Sequence, residues 1–260
     1  MVENSQSNIA LVTGASRKIG IGAAISRALA QAGMDVFITY FRPYDHLTGL
    51  AGSEEEPRIL MEEIQGIGRR AGGLEIDLSD KDAPKKLFDH VEKTFGPVRI
   101  LVNNATYSMR DGIENLNAEE LDKHYAVNIR AMMLLCSEFV KRFQDHFPEK
   151  KNGRIINLSS GQSVGPMPGE LAYVATKGAV EAFTLSLSAE IASKGITVNA
   201  VDPGITDTGW ISPELHDKWS KESPMGRVGL PVDAARLIRF LVSEDAGWIT
   251  GQVIHSRGGM

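Results

Sequence analysis

Short apolar, β-branched runs alternate with longer stretches of helical period along the whole chain. The strand-like runs fall at residues 9–13, 36–40, 73–77, 100–103, 154–158, 197–201 and 252–255, and the helical patterns at 23–32, 54–70, 83–95, 118–147, 171–193 and 232–242. Such alternation predicts an α/β fold, a doubly wound parallel seven-stranded sheet with helices on both faces. Two of the runs, Ile9-Ala10-Leu11-Val12 and Ile100-Leu101-Val102, are apolar without a break, as strands buried on both faces are. Ser79-Asp80-Lys81-Asp82 has the form of a helix start, and Ala32-Gly33 that of a helix end. No Pro- or Ser-rich linker interrupts the chain, so residues 1–260 read as a single domain. Residues 41–57 and 203–231, which carry prolines and glycines with few apolar anchors, read as long loops, and loops of that length are more often functional than not.

The charge balance is 28 Lys and Arg against 33 Asp and Glu, a net −5. The basic residues come at most in pairs, such as Arg69-Arg70 and Lys150-Lys151, which removes nucleic acid from the expected partners. The one cysteine, Cys136, sits in an apolar helical run and reads as buried rather than reactive, which fits a reducing, cytoplasmic setting. The opening MVENSQSNIALVTG lacks a basic start followed by an apolar stretch. Nothing in the chain approaches the roughly 18 apolar residues of a membrane span, so neither secretion nor membrane insertion is expected. The six histidines show no i, i+4 pair and no cysteine partner, so no metal site is expected.

Candidate chemistry concentrates in two places. The chain holds 26 glycines, and three of them, Gly14, Gly20 and Gly22, fall in TGASRKIGIG at the first strand-to-helix junction. There glycines admit close backbone approach and a helix N-terminus supplies N–H donors, the arrangement that seats a dinucleotide phosphate. The spacing is not G-x-G-x-x-G, and such a turn alone is equally a plain tight turn. After the second strand, where an acid would hold the adenosine ribose, Thr39-Tyr40-Phe41-Arg42 offers no carboxylate before Asp45. Arg42 with Arg17 or Lys18 instead suits a 2′-phosphate, so NADP(H) is expected ahead of NAD(H), the alternative being exposed cations without a ligand. The second place holds Tyr173 and Lys177, four apart at the start of a helix and so on one face. An ammonium near a phenol favours the phenolate and lowers an ordinary pKa of about 10, which makes the pair a candidate acid/base unit. By itself Y-x-x-x-K is common by chance; Ser159-Ser160 upstream and Asn128 in the preceding helix supply the context.

Taken in order, TGASRKIGIG, Asp77-Leu78, Asn103-Asn104-Ala105, Asn128, Ser160, Tyr173, Lys177, Pro203-Gly204 and ITGQVIHSRGG resemble the short-chain dehydrogenase/reductase family over essentially the whole chain. Within the family the chain is similar to the 3-oxoacyl-[acyl-carrier-protein] reductases. The resemblance implies a Rossmann-type fold and hydride transfer between a nicotinamide cofactor and a carbonyl or alcohol, a small molecule or an acyl thioester. It implies that Tyr173 protonates the carbonyl oxygen, Ser160 orients it, Lys177 holds the nicotinamide ribose and depresses the tyrosine pKa, and Asn128 anchors a water of the proton relay. Cofactor contacts are implied for Gly14, Ser16, Arg17, Gly20, Ile21, Asp77, Leu78, Asn103, Asn104 and Ala105, and for Pro203, Gly204, Ile205 and Thr206 beside the nicotinamide, with Arg42 joining them at the 2′-phosphate. A lid over substrate is expected at 206–227, lined by Trp210, Ile211, Met225 and Met167, the other reading being plain packing or an oligomer contact. A homo-oligomer, tetramer or dimer, is also implied, with helix 171–193 and the last strand at interfaces. Two features depart from the family pattern. The first turn is two residues longer than T-G-x-x-x-G-x-G, and Thr106 stands where glycine is usual and would narrow the pocket.

Three other readings compete. One is an NAD(H)-dependent dehydrogenase of a small alcohol, sugar or steroid-like substrate. Another is a non-catalytic NADPH sensor, which would have no need of the Ser160, Tyr173, Lys177 and Asn128 set. The third is a hydrolase, because Gly161-Gln162-Ser163-Val164-Gly165 matches a nucleophile elbow with Asp202 or Asp207 and His216 or His255 following. Pro166, Pro168 and Gly169 oppose it, since an elbow must run straight into a helix.

Overall fold

The computed structural model describes residues 8–50, 52–149 and 151–259; the first seven residues, on which part of the leader reading rests, and Lys150 lie outside them. In chain order the elements are β1 (Ile9–Val12), α1 (Ile21–Gln31), β2 (Asp35–Tyr40), α2 (Arg42–Leu47), α3 (Glu56–Gly66), β3 (Ala71–Glu75), α4 (Ala83–Thr94) and β4 (Val98–Asn103). Then follow α5 (Ala118–Tyr125), a π-helical turn (Ala126–Ala131), α6 (Met132–His146), β5 (Gly153–Leu158), α7 (Leu171–Ile191), β6 (Ile196–Asp202), α8 (Pro213–Glu222), α9 (Pro231–Leu241) and β7 (Val253–His255).

All seven strands join one parallel sheet in the order β3-β2-β1-β4-β5-β6-β7. Alternate residues of the central strands feed two cores: Ile9 and Leu11 pack with Phe88, Phe139 and Phe143 of α4 and α6, while Ala10 and Val12 pack with Ile25, Leu29 and Ile238 of α1 and α9. The strand order reverses between β1 and β4, so the loops leaving their carboxyl ends diverge and open a crevice, the usual ligand position in such sheets.

Differences from the sequence reading have local causes. Both expected long loops contain helices, α2 and α8, because Pro43 and Pro213 occupy first-turn positions, where a missing N–H costs nothing. Ser212 caps α8 by accepting from the Leu215 N–H at 3.3 Å. The 118–147 pattern divides into α5, the π turn and α6. Strand β3 starts and ends two residues earlier than expected, since the Asp35 carboxylate takes the Arg70 N–H and ladder pairing with β2 begins at Ala71. That offset leaves Asp77 in the loop at the crevice, beside Leu78, rather than in the strand.

Candidate active site

A cavity of about 430 Å³ occupies the crevice. Its floor is the glycine turn. Gly14 has φ of +72°, and a Cβ there would lie 2.6 Å from Ala105 Cα; a Cβ on Gly22 would lie 2.6 Å from Gly14 O and 2.7 Å from Asn104 Nδ2. The β1 and β4 ends are therefore packed as closely as backbone allows. Thr13 Oγ1 accepts from the N–H groups of Asn104 and Ala105, both at 3.1 Å, and Asn104 Nδ2 donates to Thr13 O and Gly14 O, both at 2.9 Å. The two extra residues of the turn form a β-turn closed by Gly20 N–H to Arg17 O at 3.0 Å, with Ile19 exposed at its tip. The expansion thus bulges outward and leaves Gly14 and Gly20 to Gly22 in register with α1.

Among the described residues no side chain caps the N-terminus of α1, so its first-turn amides face the cavity with the positive end of the helix dipole, a fit for the pyrophosphate of a dinucleotide. Tyr40, Ile76, Leu78 and Val127 form apolar walls beyond it, with Asp77 among them. Ser16, Arg17, Gly20 and Ile21 line the cavity as the sequence implied, and so do Asp77, Leu78, Asn104 and Ala105. Arg42 does not. Its guanidinium is turned into the protein and buried, bonded to Asp45 Oδ2 at 3.1 Å, Gly52 O at 3.0 Å and Glu54 Oε2 at 3.4 Å. Asn103 is likewise inside the sheet, donating to Asn157 Oδ1 at 2.8 Å.

The second cluster sits at the carboxyl ends of β5 and β6 and the first turn of α7. Ser160 follows β5, and its hydroxyl acts on the Tyr173 phenol, favouring the ionised form. One turn on, Lys177 is buried, with Nζ donating to Leu158 O at 2.7 Å and lying 5.5 Å from the centre of the Tyr173 ring. Burial pushes the Tyr173 phenol up to about 12, Ser160 opposing and Glu170 and Asp202 reinforcing the rise. Burial alone brings Lys177 down to about 8. Burial is the largest influence on both groups. The phenol is desolvated, and the amine is directed to a carbonyl over the ring instead of to the hydroxyl.

Asn128 lies in the π turn, a distortion common at functional sites. Its Oδ1 accepts from Tyr107 N–H at 2.7 Å and Thr106 Oγ1 at 3.1 Å, and its Nδ2 donates to Tyr107 O at 2.8 Å and Thr176 Oγ1 at 3.0 Å. Thr176 in turn donates to Tyr173 O at 2.7 Å. Every polar position of the Asn128 amide is thus engaged by protein, so its side chain ties the cavity wall at Thr106 to the turn that carries Tyr173. Pro203, Gly204, Ile205 and Thr206 lie after β6 outside the cavity wall, held by Gly204 N–H to Asp202 Oδ1 at 2.9 Å and Thr206 Oγ1 to Pro203 O at 3.0 Å. In 206–227, Trp210 and Trp219 pack with centroids 5.7 Å apart, and Arg17 Nη1 reaches Thr208 O at 2.9 Å, joining this segment to the glycine turn. The hydrolase alternative loses its geometry: Ser163 lies on a 3₁₀ turn, with its hydroxyl bonded to Glu181 Oε1 at 3.3 Å instead of to a histidine.

Two contributors escaped the sequence reading. Tyr44 of α2 lines the cavity, packs on Tyr107 and bonds Ser108, accepting from its N–H at 2.9 Å and donating to its O at 3.1 Å. A proline in the first turn followed by Asp45 was a readable helix start. Asp111 accepts from the Leu171 and Ala172 N–H groups at 2.5 and 2.8 Å, capping α7 from sixty residues away, and no local pattern announces it.

The family described as enoyl-(acyl carrier protein) reductase matches residues 14–260. The chain is 49% identical to an oxidoreductase of Bacillus subtilis strain 168, YjdA, over 99% of this chain and 98% of that one. It is 36% identical to the 3-oxoacyl-[acyl-carrier-protein] reductase FabG of Staphylococcus aureus, over 96% and 97%. A short-chain dehydrogenase from Burkholderia cenocepacia J2315, solved in complex with NADP, superposes with a TM-score of 0.85 at 32% identity, covering 98% of each chain. Fold, crevice and whole-length similarity agree: the chain belongs to the short-chain dehydrogenase/reductase family of NAD(P)-dependent oxidoreductases.

Proposed function

We propose that the protein reduces the ketone of a 3-oxoacyl thioester, or a related carbonyl, with NADPH. The observation that carries this reading is the Ser160-Tyr173-Lys177 cluster joined through Thr176, Asn128 and Thr106 to the wall of a dinucleotide-sized crevice. The α1 N-terminus and the Gly14–Gly22 turn take the pyrophosphate, Asp77, Leu78, Asn104 and Ala105 flank the adenosine, and Ser16 and Arg17 meet the 2′-phosphate, with Arg42 behind them. Pro203, Gly204, Ile205 and Thr206 border the nicotinamide, which supplies the hydride when bound. Tyr173, held neutral at neutral pH by its surroundings, donates its proton to the carbonyl oxygen while Ser160 fixes that oxygen's position. The Lys177 ammonium offsets the negative charge left on the phenol. The similarity to FabG supports the thioester, the Burkholderia complex supports NADP, and residues 206–227 cover the substrate. The active form is a homo-oligomer, consistent with exposed Leu185 and Trp248.

The test is loss of the reduced cofactor's near-ultraviolet absorbance with 3-oxoacyl thioesters, small ketones, sugars and steroids, each with NADPH and NADH. Tyr173→Phe is expected to lower kcat by about 10²–10⁴-fold with cofactor affinity retained. Retained turnover in that variant overturns the assignment of the acid, and binding of NADPH without turnover of any carbonyl favours the sensor.

A further inference from the structure

Asp45 lies on α2, five residues beyond the end of β2 and away from the strand end where a ribose-binding acid is sought. It is buried, at 5% exposure, yet borders the cavity beside Ser16 and Arg17. Its carboxylate bonds Arg42 Nη1 at 3.1 Å and faces Arg17 Nε at 3.7 Å, and the nearby Ser16 hydroxyl helps to hold its charge. A hydroxyl and two guanidinium groups around one desolvated carboxylate are the partners that a phosphate monoester would select. The other cation of the turn, Lys18, is engaged elsewhere, with Nζ 3.4 Å from Glu63. Burial raises the Asp45 carboxyl in spite of both arginines, so the group has given up hydration and depends on these partners. Tyr44, the preceding residue, is anchored to Ser108, so α2 spans the crevice between the glycine turn and the β4 loop.

We infer that Asp45 is the residue that sets the margin between NADPH and NADH, its carboxylate competing with the 2′-phosphate for Ser16, Arg17 and Arg42. This rests on the proposed placement of the 2′-phosphate beside Ser16 and Arg17. A phosphate entering there must displace Asp45 and swing α2 outward, whereas a ribose with a free 2′-hydroxyl leaves the carboxylate in place as an acceptor.

The experiment compares calorimetric affinities of adenosine 2′,5′-bisphosphate and adenosine 5′-monophosphate for the wild type and Asp45→Asn. The variant keeps the shape and loses the charge, and is expected to raise the ratio of the two affinities, by about tenfold if the carboxylate holds the site roughly nine times in ten. In the wild type, hydrogen exchange over residues 42–50 is expected to rise with the bisphosphate and not with the monophosphate. An unchanged ratio in Asp45→Asn overturns the inference; if the wild type still prefers the bisphosphate, the NADP(H) reading stands without it. Equal affinities for both nucleotides in both proteins overturn the two together. Should Asp45→Asn fail to fold, the wild-type exchange decides, and exchange indifferent to the bisphosphate overturns the inference.

Discussion

Helix α7 carries Tyr173 and Lys177 in its first two turns, yet its own N-cap residue, Glu170, makes no side-chain capping bond. The cap comes from Asp111, whose two oxygens accept from the Leu171 and Ala172 N–H groups. Replacing Asp111 by Ala strands both donors. Loss of a cap costs about 1–2 kcal/mol, and loss of a carboxylate from the positive end of the dipole adds about 0.5 kcal/mol. A total near ~2 kcal/mol lowers Tm by about 4–8 °C in a protein of this size. The Asp111 backbone keeps its own bond to Gly169 O at 2.9 Å, so the loop stays in place and the loss is confined to the cap. Because Tyr173 sits one residue past the second capped amide, fraying displaces the proposed acid, and a displacement of ~1 Å is worth up to about 10²-fold in kcat. Asp111→Asn, which retains an acceptor and loses the charge, falls between wild type and Asp111→Ala on both scales. Differential scanning calorimetry and steady-state kinetics read the two effects, with adenosine nucleotide affinity unchanged because the site proposed for it is built on the glycine turn, the start of α1 and the ends of the loops that follow β3 and β4. A melting temperature within about 1 °C of the wild type together with unaltered kcat in Asp111→Ala would refute the capping argument.

Further outcomes follow from the same geometry. Lys177, brought down to about 8 from an ordinary 10.5, holds its proton less tightly in the fold than in the unfolded chain, so its contribution to stability rises as pH climbs through that window. Denaturant unfolding should therefore show the wild type gaining on Lys177→Met between those pH values; a constant difference contradicts the shift. Gly22→Ala inserts a methyl 2.6 Å from Gly14 O and 2.7 Å from Asn104 Nδ2, which is expected to cost about 1–3 kcal/mol and weaken adenosine nucleotide binding. Wild-type melting and affinity in that variant would show that the turn has slack.

How far the molecule could be read without coordinates depended on the reach of the interactions concerned. Strand and helix periods, the glycine turn and the Tyr173-Lys177 spacing are properties of neighbours in the chain, and they carried the sheet, the helices on both its faces and the family. Prolines misled where their fixed φ starts a helix instead of ending one, as at Pro43 and Pro213. The orientation of Arg42 was not legible from its position after β2, because Asp45 of α2, a helix that the loop-like composition concealed, and Gly52 and Glu54 of the loop after it compete for its guanidinium. Nor was the cap of α7, since Asp111 and Leu171 share no local pattern and meet only when the β4 loop folds across the end of that helix. The same holds for the ionisation of Tyr173 and Lys177: residue type and spacing suggested a lowered tyrosine, whereas burial, which no local pattern reveals, raises the phenol and lowers the amine. Periodicity and spacing thus decided which elements form and which side chains share a face, for these follow from backbone geometry over a few residues. Charge pairing, desolvation and long-range caps were decided by the assembled fold, because each depends on how much water and which distant groups remain around an atom once the layers have packed.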